Sequence, residues 1–308
     1  MLFKNLRLYR LLEPFDVDAL ESQLEPARFQ PAGAAEPSSA GWQPPLGRHA
    51  EALTHAAAGC VLMCLRKEDK VLPASAIQDH IEQEVERIEQ AEGRTVARRE
   101  RRRLRDEVIE RLLPRALPRA SLTYAYIDPT AGWLVVDAAS AKRADELTSL
   151  LREAVGRLPI APLSARDSVS GVMTSWLSGE TLPDGIVLGD ECELRDAADE
   201  GSVVRCKGQD LNGEELQVHL AAGKRVTRVS LAWEERLGCV LGEDLVVRRL
   251  HFEDVVREEQ GEFDPDEAAR FDAELAMMAL ELRRFLAVLP DLFGGEERPD
   301  AAPLRQSA

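Results

Sequence analysis

Two consecutive segments of opposite charge do most to limit what this chain can become. Residues 78–93 carry six acidic side chains (Asp79, Glu82, Glu84, Glu86, Glu89, Glu92) against Arg87 alone. Residues 94–119, RTVARRERRRLRDEVIERLLPRALPR, carry ten arginines against four acidic residues. Ser75, with Gln78 three residues on, resembles a capping box that opens a helix running to about Glu92. Gly93 breaks that helix, and a second runs from about Thr95 to Leu113, where Pro114 and Pro118 end it. The pair predicts a helical hairpin with one acidic and one basic arm.

In the basic arm Arg94, Arg98, Arg101 and Arg105 recur at spacings of four, three and four, a stripe about 16 Å long at ~1.5 Å rise per residue. Arg99, Arg102 and Arg103 widen it. The whole chain has a net charge of −16 and the strip +6, so the other 282 residues stand at −22. Positive charge is therefore concentrated, and guanidinium forks in a row suit phosphates. The same arginines could instead pair with the acidic arm, where a surface pair contributes about 0–1 kcal/mol. A second basic cluster lies in RCKGQDL and AAGKRVTRVSL: Arg205, Lys207, Lys224, Arg225 and Arg228. Partial alternation places some of these on one face of a sheet, or simply on solvated surface. Gln209 and Asn212 could hydrogen-bond phosphates or ordinary turns.

Elsewhere FKNLRLYRL reads as a strand and Asp16–Leu24 as a short helix. Residues 31–47, PAGAAEPSSAGWQPPLG, read as a loop. GCVLMCLRKEDKVLP reads as a buried strand, a polar turn at Lys67–Lys70 and a short return. SLTYAYID and GWLVVDAA are strands joined through DPTAG, followed by a helix at Ser140–Val155 and an extended LPIAPLS. The second half is expected to hold a helix at Val169–Leu177 and strands at Gly185–Arg195 and Ser202–Lys207. A helix at Gly213–Ala222 and strands at Arg225–Trp233, Leu237–Leu241 and Leu245–Phe252 follow. Asp264-Pro265 is an N-cap and first-turn pair for a long helix to Leu289, with a frayed tail after Gly294. The class is α+β.

That last helix repeats Phe271, Leu275, Met278, Leu282, Phe285 and Leu289 at spacings of 4, 3, 4, 3, 4, a coiled-coil-like seam. Met277, Leu280 and Leu286 widen it, so either its own domain or a second subunit could cover it.

Composition fits a soluble globular chain with a sizeable core, without an apolar run long enough to span a membrane. The N-terminus has scattered charges and no small-residue cleavage site, so it reads as part of the mature fold. Five cysteines, Cys60, Cys64, Cys192, Cys206 and Cys239, read as reduced thiols in a cytoplasmic protein. The five histidines show no metal-ligand spacing, and the acidic group in GDECELRDAADE could bind a divalent ion or simply stay solvated. No phosphate-cradling, dinucleotide, zinc-hydrolase or nucleophile-elbow motif occurs. No cofactor and no enzymatic activity are expected.

GWQPPLGRHAEALTHAAAGCVLMCLRKEDKVLPASAI, RDEVIERLLPRA, VDAASAKRADE, LPIAPLS, RCKGQDL, AGKRVTRVSLAWEERL and RFDAELAMMALEL resemble, in order and over nearly the whole chain, the RdgC family of recombination-associated proteins. The resemblance implies a horseshoe-shaped subunit with mixed or antiparallel sheets, a projecting helical hairpin and a long C-terminal helix. It divides the chain into a central region (1–72 and 120–165), a hairpin finger (73–119) and a base region (166–308). It further implies sequence-non-specific binding of double-stranded DNA by a ring-shaped homodimer, with single-stranded DNA left open as a second ligand, restraint of RecA-driven recombination, and a place on the nucleoid. Lys207 and Gln209 would line the hole, although Gly208 stands where a further lysine is expected. Leu117 would fall at one dimer interface, and the final helix (Phe271, Leu275, Met278, Leu282, Phe285) would contribute to the other. The competing reading is a regulator that contacts a recombinase directly.

Overall fold

The computed structural model describes residues 2–47, 49–196, 201–211, 213–258 and 267–298. In chain order the strands are β1 (Arg7–Leu11), β2 (Ser38–Gln43), β3 (Thr54–Ala57), β4 (Cys60–Val71), β5 (Leu117–Asp128), β6 (Trp133–Val136), β7 (Ile160–Pro162), β8 (Ile186–Asp196), β9 (Val203–Lys207), β10 (Lys224–Trp233), β11 (Leu237–Gly242) and β12 (Val247–Phe252). The helices are α1 (Leu20–Leu24), α2 (Ala74–Glu92), α3 (Arg98–Leu112), α4 (Ala141–Val155), α5 (Val169–Leu177), α6 (Glu214–Ala221), α7 (Asp254–Glu258) and α8 (Glu267–Val288). The expected α+β class is what the chain forms.

Strands β2-β4-β5-β6-β1-β7 make one sheet, with β3 also paired to β4. Strands β12-β11-β10-β8-β9 make the other, and every ladder in both is antiparallel. Strand alternation gives the first sheet two apolar faces. Val61, Met63, Leu65, Ile127 and Val136 pack on one face with Leu20 and Leu24 of α1 and Leu147 and Leu151 of α4. Leu62, Tyr126 and Val135 on the other face join a core that includes α8 and the second sheet. Helix α8 thus serves both sheets, and Phe285 meets Trp233 of β10 at 5.5 Å between ring centroids. This double duty explains why its apolar surface exceeds one stripe.

Several sequence expectations change. The polar stretch Lys67–Lys70 is no turn: β4 runs unbroken, paired to β5 from Val61↔Ile127 to Val71↔Leu117 and flanked by β2 from Cys64 to Asp69. Its charges are matched locally, Arg66 to Glu68 at 3.2 Å and Lys67 to Glu146 at 2.5 Å. The segment 31–47 holds β2, hidden by its Gly and Ser content. The strand beginning SLTYAYID starts earlier, at Leu117. No capping box forms: α2 begins at Ala74 behind Pro73, with no side-chain cap. Residues 295–298 are tied down in part, since Arg166 N–H bonds the Gly295 carbonyl and Glu297 N–H the Ser164 carbonyl. Asp264-Pro265 and Asn212 lie outside the described residues.

Gly41 of β2 shows why this strand needs its unusual composition. A Cβ there would stand 2.6 Å from the Phe29 Cα and 2.9 Å from the Ala27 carbonyl oxygen. Gly41→Ala is expected to destabilise the protein by about 1–3 kcal/mol through overpacking, measured by denaturant unfolding.

Candidate nucleic-acid interface

The hairpin is carried on the far end of the β4–β5 ribbon. Gly93 caps α2 in the left-handed conformation (φ 64°), and α3 starts after Ala97. A small core of Ile77, Ile81, Val85, Val96 and Val108 holds the two arms together, separate from the two larger cores. Helix α3 opens three residues later than expected, which moves Arg94 off the arginine stripe. Arg94 is instead a clasp at the tip, bonded to Glu92 at 2.7 Å and to both oxygens of Glu100. Arg111 pairs with Glu84 at 2.8 Å and Arg103 with Glu107 at 3.4 Å.

The acidic arm reaches no further. Arg98, Arg99, Arg101, Arg102 and Arg105 are exposed, and within the described residues their guanidiniums have no ion pair. They line, with Gln78 and Ile81 of α2, a groove of about 790 Å³. From Arg98 to Arg105 it follows about 10 Å of helix.

The second cluster forms on the outer face of the five-stranded sheet. Cys192 and Leu194 of β8 point into the core, so Glu191, Glu193 and Arg195 face outward. Across the ladder, Arg205 and Lys207 of β9 stand opposite Glu193 and Glu191. The register of β10 slips between Val226 and Arg228. Val226 and Val229 both reach the core as a result, while Arg225 and Arg228 stay on the outer face.

Glu193 is the anchor. Its side chain is only 6% exposed because guanidiniums cover it: Arg205 at 2.9 Å, Arg195 at 3.0 Å and Arg228 at 3.6 Å. Burial pushes its carboxyl up, but the bonds from Arg205 and Arg195 outweigh this and hold it below the usual range. Glu191 is held low chiefly by Arg249, which grips both its oxygens, with Lys207 at 3.4 Å adding to the effect. Six cations (Arg195, Arg205, Lys207, Arg225, Arg228, Arg249) therefore gather around Glu191 and Glu193, with Asp190 adding a further negative charge beside Arg249. Arg225 has no ion pair within the described residues and stands directly opposite Arg195. Such a like-charge pair is unfavourable unless an anion lies over it.

Of the other candidates, Lys224 turns to Ser202 Oγ at 2.5 Å. Gln209 is exposed, its backbone N–H bonded to the Asp190 carbonyl. Gly208 sits at φ 65° with open space around it, so the left-handed backbone, not crowding, is what favours glycine there. Leu117 is 79% exposed, beside Val71 at 46%. Leu275, Met278, Leu282 and Phe285 are at most 2% exposed and Phe271 is half-buried against the His55 ring. The seam offered as a subunit contact thus packs inside its own chain, and only Leu280 of its flanks is exposed.

Sequence reading missed Arg195, Arg249 and the two carboxylates. The strand expected at Gly185–Arg195 forms as β8, but composition alone did not show that Glu191, Glu193 and Arg195, alternating with Cys192 and Leu194, share its outer face. A cleft of about 920 Å³ lies between β1, β6 and the end of α8. Three of its four arginines are already answered, Arg10 by Glu296 at 2.9 Å, Arg298 by the same carboxylate and Arg283 by Asp128 at 2.7 Å, while Arg166 has no ion pair among the described residues. It reads as a structural joint. Among the described residues no group of three or more potential metal ligands comes together, and no helix is long and apolar enough to cross a membrane.

Fold and surface together define an acidic α+β chain that concentrates uncompensated positive charge on a finger and on one sheet face. Comparison with known proteins places it more closely. The family model described as "Putative exonuclease, RdgC" matches residues 1–296. The recombination-associated protein RdgC of Tolumonas auensis is 44% identical over 300 residues, 96% of this chain and 99% of that protein. Those of Aeromonas hydrophila and Halorhodospira halophila are also 44% identical, over 97% of this chain and 99% and 100% of their own lengths. The chain belongs to the RdgC family.

Proposed function

We propose that this protein binds duplex DNA without regard to sequence, as a ring-shaped homodimer that encircles it, and thereby restrains RecA-driven recombination on the nucleoid. The observation that carries the reading is the set of unmatched cations. Among the described residues five finger arginines lack an ion pair, and six sheet cations outnumber the carboxylates beside them, in a chain of net charge −16. An acidic body repels DNA everywhere except where such patches face it. Guanidinium and ammonium groups contact phosphates, which carry no sequence information, so any duplex serves. A homodimer would present each patch twice about a twofold axis. Occlusion is then the mechanism: DNA held in the ring is withheld from the recombinase.

Competition tests the sequence claim. Unlabelled duplexes of unrelated sequence should displace a labelled one equally, and the label should be recovered at full length in magnesium. A strong preference for one sequence, or shortened strands, would contradict the reading. Leu117 tests the dimer. Leu117→Asp should lower the sedimenting mass toward that of one chain without unfolding it, because the side chain is exposed. Unchanged mass would remove Leu117 from the subunit contact.

A further inference from the structure

Cys192 of β8 and Cys206 of β9 stand directly opposite each other in the antiparallel ladder. Directly opposed residues in such a ladder have Cα atoms about 4.5–5.5 Å apart, inside the ~4.4–6.8 Å that a disulfide spans. Both thiols are free, and both side chains face the core side of the sheet. No other cysteine has this arrangement: Cys60 stands opposite Ala57, Cys64 opposite Gln43 and Tyr124, and Cys239 opposite Leu231. Cys192 is 5% exposed, whereas Cys206 is half-buried on the edge strand of the sheet.

We infer that Cys192 and Cys206 form a reversible dithiol site that hydrogen peroxide closes to a disulfide, fastening edge strand β9 to β8. The order of events follows from access. Burial pushes the Cys192 thiol up to about 12, so the partly exposed Cys206 reacts first. Its thiolate attacks one peroxide oxygen, the O–O bond breaks, and the departing hydroxide takes up the proton the thiol had released, leaving a sulfenic acid and water. Cys192 sulfur then attacks the sulfenyl sulfur. The S–S bond forms, the S–O bond breaks, and the Cys192 proton leaves with the hydroxide as a second water. Two thiols and one peroxide thus give one disulfide and two waters.

The position gives the closure a consequence. Both cysteines lie on the inner side of their strands, while Arg205 and Lys207, on the outer side of β9, are neighbours of Cys206 in sequence. Closing the pair fixes the strand that carries two of the sheet's cations. This inference does not depend on what those cations bind.

The test is peroxide treatment of the full-length protein, followed by intact mass, peptide mapping and hydrogen exchange. The expected product has lost the mass of two hydrogen atoms, maps to Cys192–Cys206, and reverts with dithiothreitol. Exchange of β9 amides should slow by about tenfold or more as local opening is suppressed. Cys206→Ser should give no such product. A stable sulfinic acid at Cys206 with Cys192 still alkylatable, a disulfide mapping to other cysteines, or five free thiols after treatment would each overturn it.

Discussion

Changing Arg98, Arg99, Arg101 and Arg102 to alanine should weaken binding of a random-sequence duplex about a thousandfold at ~0.1 M salt, with a binding-versus-salt slope shallower by about 3–4. The size follows from counting. Each phosphate neutralised contributes about 0.9 to the slope of log K against log salt, and each finger that lies on the duplex loses four guanidiniums that have no ion pair among the described residues, so the figures are those for one finger. Folding should survive, because none of the four belongs to the hairpin core of Ile77, Ile81, Val85, Val96 and Val108. Alanine is also the best helix former, so α3 should persist. Circular dichroism and fluorescence anisotropy on the same samples separate the two effects. An unchanged slope in a folded variant would mean that the finger does not touch DNA.

The second large effect is expected at Glu193, where stability and binding should move in opposite directions. Glu193→Gln leaves Arg195, Arg205 and Arg228 clustered without their shared counter-charge, and should lower stability by about 2 kcal/mol. That is below the usual cost of orphaning a buried charge, because the three arginines can turn to solvent. The same substitution removes a negative charge from the basic face, so duplex affinity should rise several-fold. If Glu193 served only structure, stability would fall and affinity would not rise. Acid should act in the same direction on stability. Glu193 and Glu191 are both held below their ordinary range in the folded protein, so the unfolded chain binds more protons there. Their contribution is present above about pH 4 and lost as pH falls through their lowered folded values. The Glu193→Gln variant should show a smaller loss of melting temperature on acidification than the parent.

How far these surfaces could be read in advance depends on the interaction involved. The helical hairpin was legible because proline, glycine and charge act locally, and α2 ends at Glu92 as expected. The pairing of its arginines was not legible, because it depends on where α3 begins. Starting at Arg98 rather than near Thr95 turns Arg94 into a clasp and leaves Arg98, Arg101 and Arg105 open. Strand β4 was misread at Lys67–Lys70 because charges usually mark turns, whereas here β2 and β5 pair it on both sides. The sheet cluster depends on register. Only the pairing of β8 with β9 puts Arg205 over Glu193, and only the slip in β10 brings Arg228 to the same carboxylate. The seam of α8 was read correctly as periodic. Periodicity does not say what covers it, and the answer is two sheets of the same chain.

The central claim is that the unmatched cations on the finger and sheet bind the DNA backbone. The most direct measurement is anisotropy of a labelled random-sequence duplex with the unsubstituted protein across a salt series. The account predicts a straight fall of log K against log salt, with a slope of about −6 or steeper, from the phosphates neutralised by the two patches. Binding that is absent at low salt, or indifferent to salt, would contradict it.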